Sequence, residues 1–178
     1  MNDNETTGAA FRNADAIMTA FNAAELDMQE GRENGRPVIL IPVNNTFTIM
    51  PIDVKPLKKS FPVTLRIDGT LKVSTDAWNF FHTKQSGDPD VLVFRDFDGL
   101  MVHGDGVIDG QGFQWWIREY MQTNPPDMKR PRLFNGYNLD NFEMHGVLAK
   151  NSPRFFFRFN DCDGIYIHDM EIYTDIWG

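Results

Sequence analysis

DGIYIH, from Asp163 to His168, has two earlier counterparts in the chain: DGLMVH from Asp98 to His103 and DNFEMH from Asp140 to His145. Each opens on Asp and closes on His. Between those ends the alternation puts Leu100 and Val102, Phe142 and Met144, and Ile165 and Ile167 on one face. Met101, Glu143 and Tyr166 point the other way, which is the period of a strand. The second and third copies begin 23 residues apart, and the first and second 42 apart. The additional 19 residues fit an excursion from about Gly110 to Arg132. Looser copies lie upstream: Val38 to Ile41 with Phe47 to Ile49, Val63 to Val73 with Leu65, Ile67, Leu71 and Val73 alternating, and Val91 to Phe94. A strand roughly every twenty-odd residues, broken by Gly, Asn and Asp turns, marks a solenoid whose coils bury their apolar faces against one another. The expected fold is all-β, a right-handed single-stranded parallel β-helix of about four to five coils.

Ahead of the first coil, Ala14, Ile17, Met18, Phe21 and Met28 recur at helical spacing between Asn13 and Gly31, with Asn13 or Asp15 as caps. A solenoid leaves its end coil open, so an amphipathic helix here is expected to cover it. The organisation read from the sequence is one domain over residues 1–178, with a polar start and capping helix at 1–31 and coils at 32–178. It reads as the N-terminal part of a longer domain.

The 42% hydrophobic content suffices for one core, and no low-complexity tract marks a second domain. MNDNETTG is a polar start with no visible secretory signal, and no run of eighteen apolar residues suggests a membrane span. The net charge of −8, from 17 basic and 25 acidic residues, argues against nucleic acid as a partner. Local charge differs: Lys129, Arg130 and Arg132 form one basic cluster and Lys150, Arg154 and Arg158 another. These would give a polyanion a positive strip, or else are solvated turn residues. The single cysteine, Cys162, excludes an intrachain disulfide and reads as a small buried residue beside a turn. Asn4 and Asn44 stand in the glycosylation sequons NET and NNT, which matter if the chain is secreted.

Four motifs stand in order along the coils: PVTLRIDGTLKVS from Pro62 to Ser74, GDGVIDGQGFQWW from Gly104 to Trp116, RPRLF from Arg130 to Phe134, and NSPRFFFRFNDCDGIYI from Asn151 to Ile167. Read as chemistry, they are structural. Gly106, Gly110 and Gly112 offer backbone freedom at tight corners, and Asp109 can hydrogen-bond the turn. Trp115 and Trp116 anchor a loop, although an exposed indole would also stack on a pyranose ring. Asn151 and Ser152 before Pro153 close a corner, and Phe155 to Phe159 run into the core or along a face. Together the four motifs resemble glycoside hydrolase family 28, the polygalacturonases, from about Val38 onward.

That resemblance implies an inverting hydrolase of pectin or polygalacturonate, secreted, needing no cofactor and no metal. Its chemistry uses carboxylates held roughly 6.5 to 9.5 Å apart. The family supplies them from an NTD motif and a paired DD on successive coils, followed by a GHG histidine and an RIK motif that grips the substrate carboxylate. None of the four occurs here. Tyr173-Thr174-Asp175 is a degenerate counterpart of NTD, so Asp175 is the one catalytic candidate, set against its reading as an ordinary turn.

The column of His103, His145 and His168 reads as outward-facing stacking. A metal site or pH-sensitive seam is the sharper alternative, and no carboxylate or cysteine stands at zinc spacing along the chain to complete a ligand set. Two functions follow. Either these are the first coils of a polygalacturonase-like hydrolase, inactive alone and prone to self-association through an uncapped edge of Ile172, Tyr173, Ile176 and Trp177, or they form a non-catalytic β-helix that binds polysaccharide or a protein. A lyase is less well supported, since calcium-binding acidic clusters are not evident.

Overall fold

The repeated segments owe their spelling to backbone conformation. In the computed structural model, which describes residues 3–32, 35–59, 61–76, 90–123 and 129–175, the second residue of each copy is left-handed: Gly99 at φ 84°, Asn141 at 51° and Gly164 at 65°. The residue after each histidine is left-handed too, with Gly104 at 133°, Gly146 at 78° and Asp169 at 47°. Gly, Asn and Asp are the residues that tolerate this region most readily. A four-residue stretch bounded by two such kinks therefore recurs at three successive levels of the solenoid.

Those strands build the first of three parallel sheets, β1 (Val38–Ile41), β4 (Val63–Ile67), β7 (Leu100–His103), β10 (Asp140–His145) and β13 (Asp163–His168), in that spatial order. The second sheet holds β2 (Thr46–Ile49), β5 (Thr70–Val73), β8 (Val107–Asp109), β11 (Leu148–Lys150) and β14 (Glu171–Tyr173). The third holds β3 (Ile52–Val54), β6 (Asp90–Arg95), β9 (Arg132–Tyr137) and β12 (Phe157–Asn160). The chain visits the sheets in the same order on every turn. The described residues thus make four full coils and two strands of a fifth, wound as a right-handed parallel β-helix. The 42-residue interval is explained by the corner between the second and third sheets, where a short helix, α2 (Gly112–Tyr120), leaves the third coil.

Inside the rod, one aromatic column runs along the axis. Phe94 stacks on Phe134 at 5.4 Å between ring centroids, and Phe134 meets Phe159 at 5.8 Å. Phe21, from the N-terminal helix α1 (Asp3–Gln29), closes the column against Phe94 at 5.6 Å and Phe97 at 6.0 Å. Ala10, Ala14, Ile17 and Phe21 are the buried stripe of α1, so the helix does cap the first coil. It begins well before the expected Asn13. Asn13 and Asp15 are interior residues, and the Asn13 amide donates to the Thr48 carbonyl at 2.8 Å instead of capping. Ala10 extends the buried stripe a turn upstream. Gly31, at φ 68°, ends the helix where its position suggested. The buried Glu25 carboxylate accepts the Leu57 and Lys58 N–H groups, each at 2.9 Å, and so ties the helix to the link between the first two coils.

Among the described residues, no helix is long and apolar enough to cross a membrane. Asn44 lies exposed in the turn after β1, where a sequon would be accessible; the side chain of Asn4 is outside the described residues.

Candidate functional site

The GDGVIDGQG stretch folds as β8 and the corner leading to α2, and its glycines serve contact between coils. A Cβ on Gly106 would lie 2.2 Å from the Gly69 carbonyl oxygen, and one on Gly110 or Gly112 would lie 2.5 or 2.6 Å from that of Asn151. None of the three has a positive φ, so the expectation of backbone freedom is corrected to one of close approach. Asp109 does serve the turn, accepting the Gln111 N–H at 3.1 Å, and it also meets Lys150 Nζ of the next coil at 3.1 Å. Trp115 is fully buried, and Trp116 donates its indole N–H to the Pro153 carbonyl at 3.2 Å. Packing accounts for both indoles.

Asn151 of the NSP motif fastens this corner across three coils. Its carbonyl accepts the Gly112 N–H at 2.8 Å, its own N–H donates to the Tyr173 carbonyl at 2.9 Å, and its side-chain oxygen accepts the Asp175 N–H at 2.8 Å. Asp175 therefore stands at the corner from which, in each of the four complete coils, the chain passes to the third sheet. Ile176 and Trp177, the remainder of the expected apolar edge, lie outside the described residues.

The third sheet carries a polar ladder. Arg95 grips Asp53 through two hydrogen bonds, at 2.8 and 3.1 Å, and its guanidinium lies 4.2 Å from the centroid of the Tyr137 ring. Nearby, Asn160 donates to Asn135 at 2.9 Å, and Asn135 donates to Asp90 at 2.6 Å. Asp90 also takes the buried Arg132 guanidinium at 3.1 Å. Arg132 therefore leaves the expected basic strip, because its charge is neutralised inside the protein; Arg130 donates to the Pro153 carbonyl and Lys150 meets Asp109. Arg154 lies over the exposed Phe155 ring at 4.9 Å, so the phenylalanine run starts on the surface and turns inward only after it. Cys162 is half-buried, its sulfur between the Asn160 carbonyl and the Leu139 N–H.

On the first sheet the three histidines do form a column. His103 and His145 stack with centroids 5.2 Å apart, and His145 and His168 at 4.9 Å, because the residues are register partners in β7, β10 and β13. Burial, then the neighbouring His145 and Arg66, pushes His103 below the usual histidine value. His168 is pushed up by its hydrogen bond to Asp169, 2.8 Å from Nδ1, and by Glu143, 3.3 Å from Nε2. The expectation that no carboxylate joins the column is corrected by Glu143, which sits two residues before His145 on the same face.

Three parallel sheets, internal aromatic stacking and a helical cap define a pectin-lyase-like β-helix. Residues 34–175 match the family model of glycosyl hydrolases family 28, and the chain belongs to that family. It is 30% identical over 134 residues to a probable polygalacturonase of Arabidopsis thaliana, covering 75% of this chain and 26% of that protein. Over 163 residues it is 26% identical to a polygalacturonase of Chamaecyparis obtusa, covering 89% of this chain and 29% of the relative. The chain thus spans only about a quarter to three tenths of the length of these relatives. Among solved structures, the hyperthermoactive exopolygalacturonase of Thermotoga maritima superposes with a TM-score of 0.63 at 18% identity, covering 82% of this chain and 41% of that one. At that identity the likeness is one of fold.

Proposed function

We propose that these coils are the substrate-supporting start of a polygalacturonase-like hydrolase acting on pectin-type uronans, and that they carry no hydrolytic activity by themselves. The observation that supports this reading is the family match over residues 34–175, which falls on the coils and takes in the corner holding Asp175. The third-sheet ladder of Asp53, Arg95, Tyr137 and Asn160 runs along the outer face of β3, β6, β9 and β12 and gives a polar wall suited to a polyhydroxylated chain. Many carboxylates here already have structural partners: Asp53 with Arg95, Asp68 with Arg66, Asp90 with Arg132, Asp96 with Lys55 and Asp140 with Lys59. Inverting hydrolysis needs two carboxylates committed to acid and base roles across a sugar ring.

A reducing-end assay on polygalacturonate tests the proposal. The purified 178-residue polypeptide is expected to release none, whereas turnover abolished by Asp175→Asn would establish a catalytic Asp175 and overturn the reading. Sequencing the coding DNA past codon 178 tests the other half. Further coils bearing NTD, DD, GHG and RIK are expected, and a stop codon there would leave a polysaccharide-binding β-helix without catalysis.

A further inference from the structure

Glu143, His145 and His168 present a carboxylate oxygen and two ring nitrogens that all lie within 4.8 Å of one another. We propose that they form a zinc site that clasps the fourth coil to the fifth. Glu143 and His145 are two residues apart on one face of β10, and His168 is the register partner of His145 on β13. Successive coils lie about 4.8 Å apart, and the i and i+2 side chains of a strand share a face. The β-helix thereby assembles a triangular ligand set from two adjacent strands.

A tetrahedral zinc with bonds of about 2.0 to 2.2 Å needs ligand atoms roughly 3.4 Å apart. Glu143 Oε1 to His168 Nε2 is already 3.3 Å, and Glu143 Oε1 to His145 Nε2 is 3.8 Å. The half-exposed rings need only a modest rotation about their side-chain torsions to bring the remaining pair together. Asp169 supplies the supporting contact that zinc-binding histidines commonly have. Its carboxylate, 2.8 Å from Nδ1 of His168, would hold the ring proton there when Nε2 turns to the metal. Tyr166 stacks on the His168 ring at 4.3 Å between centroids and restricts its orientation. Two imidazoles and one carboxylate favour zinc over calcium or magnesium, which seek oxygen ligands, and leave a fourth position for water or for the neighbouring His103.

Titration of the metal-free protein with zinc chloride, followed by calorimetry and by thermal unfolding, tests the site. Saturable binding of one zinc per chain is expected, with a rise in the unfolding midpoint that EDTA reverses and that magnesium does not reproduce. Zinc should also slow amide exchange in β13 selectively. Glu143→Gln and His168→Asn, both at half-exposed positions and expected to fold normally, should weaken zinc binding at least about tenfold, and Asp169→Asn by about 10- to 100-fold. Absence of saturable binding, or binding of unchanged affinity in Glu143→Gln and His168→Asn, would overturn the proposal and leave the column as ring stacking.

Discussion

At the scale of single residues, the coils are controlled by positions where one atom decides whether neighbouring backbones can meet. Gly106 is the sharpest case, since a methyl group there would be driven into the Gly69 carbonyl, a backbone atom that cannot rotate away. Gly106→Ala is expected to destabilise the protein by about 1–3 kcal/mol, as other overpacked sites do, and urea unfolding would measure it. A neutral result would show that the coils can separate locally without loss. Asp96 provides a charge-based test. Its hydrogen bonds from Lys55, at 2.8 Å, and from Asn138, at 2.7 Å, hold its carboxylate below the usual range. A group with a lowered folded pKa stabilises fully above its unfolded value of about 3.9, and that contribution disappears as pH falls through the folded value. The stability gap between the native protein and Asp96→Asn should therefore be present at neutral pH and close on acidification below about pH 4. A gap of constant size down to pH 2.5 would assign the effect to packing. The Asp at the start of each repeat and the outward histidine were readable in the sequence, whereas the left-handed residue after the Asp came from the structure. Glu143 was readable as outward, but its contact with His168 depends on stacking one coil upon another, 25 residues away in the chain.

Among the elements, α1 joins sequence pattern to packing most directly. Its aromatic residue Phe21 is almost wholly buried and ends the internal phenylalanine column, so truncating it removes packing from Phe94 and Phe97 together. Phe21→Ala is expected to cost about 3–5 kcal/mol of unfolding free energy, read from chemical denaturation. A loss below about 1 kcal/mol would mean that the helix rests loosely on the first coil. The strands show a different limit. Alternation revealed the longer strands of the first sheet, but β3, β8, β11 and β14 have three residues each, too few for a period of two to rise above chance.

For the molecule as a whole, one end of the rod is capped and the other presents its last described strands, β12, β13 and β14, at the sheet edges. Ile172 and Tyr173 are about half exposed, and Phe157, Phe159, Ile165 and Ile167 are only partly covered. Sedimentation of the 178-residue polypeptide is therefore expected to show self-association that increases with concentration, as strand edges pair with a second copy. A monomer at all concentrations would show that these edges are protected. The repeated strands with their Gly, Asn and Asp turns, and the helical spacing of Ala14, Ile17, Met18, Phe21 and Met28, pointed from sequence alone to a parallel β-helix with a helical cap. Within each copy the strand signal is carried by residues close together in the chain, and the copies themselves recur along it. Only the tertiary structure decided that Arg132 is buried against Asp90, that Asn151 fastens three coils, and that Glu143 meets two histidines. Those contacts lie across coils, where distance depends on register and rise rather than on sequence separation.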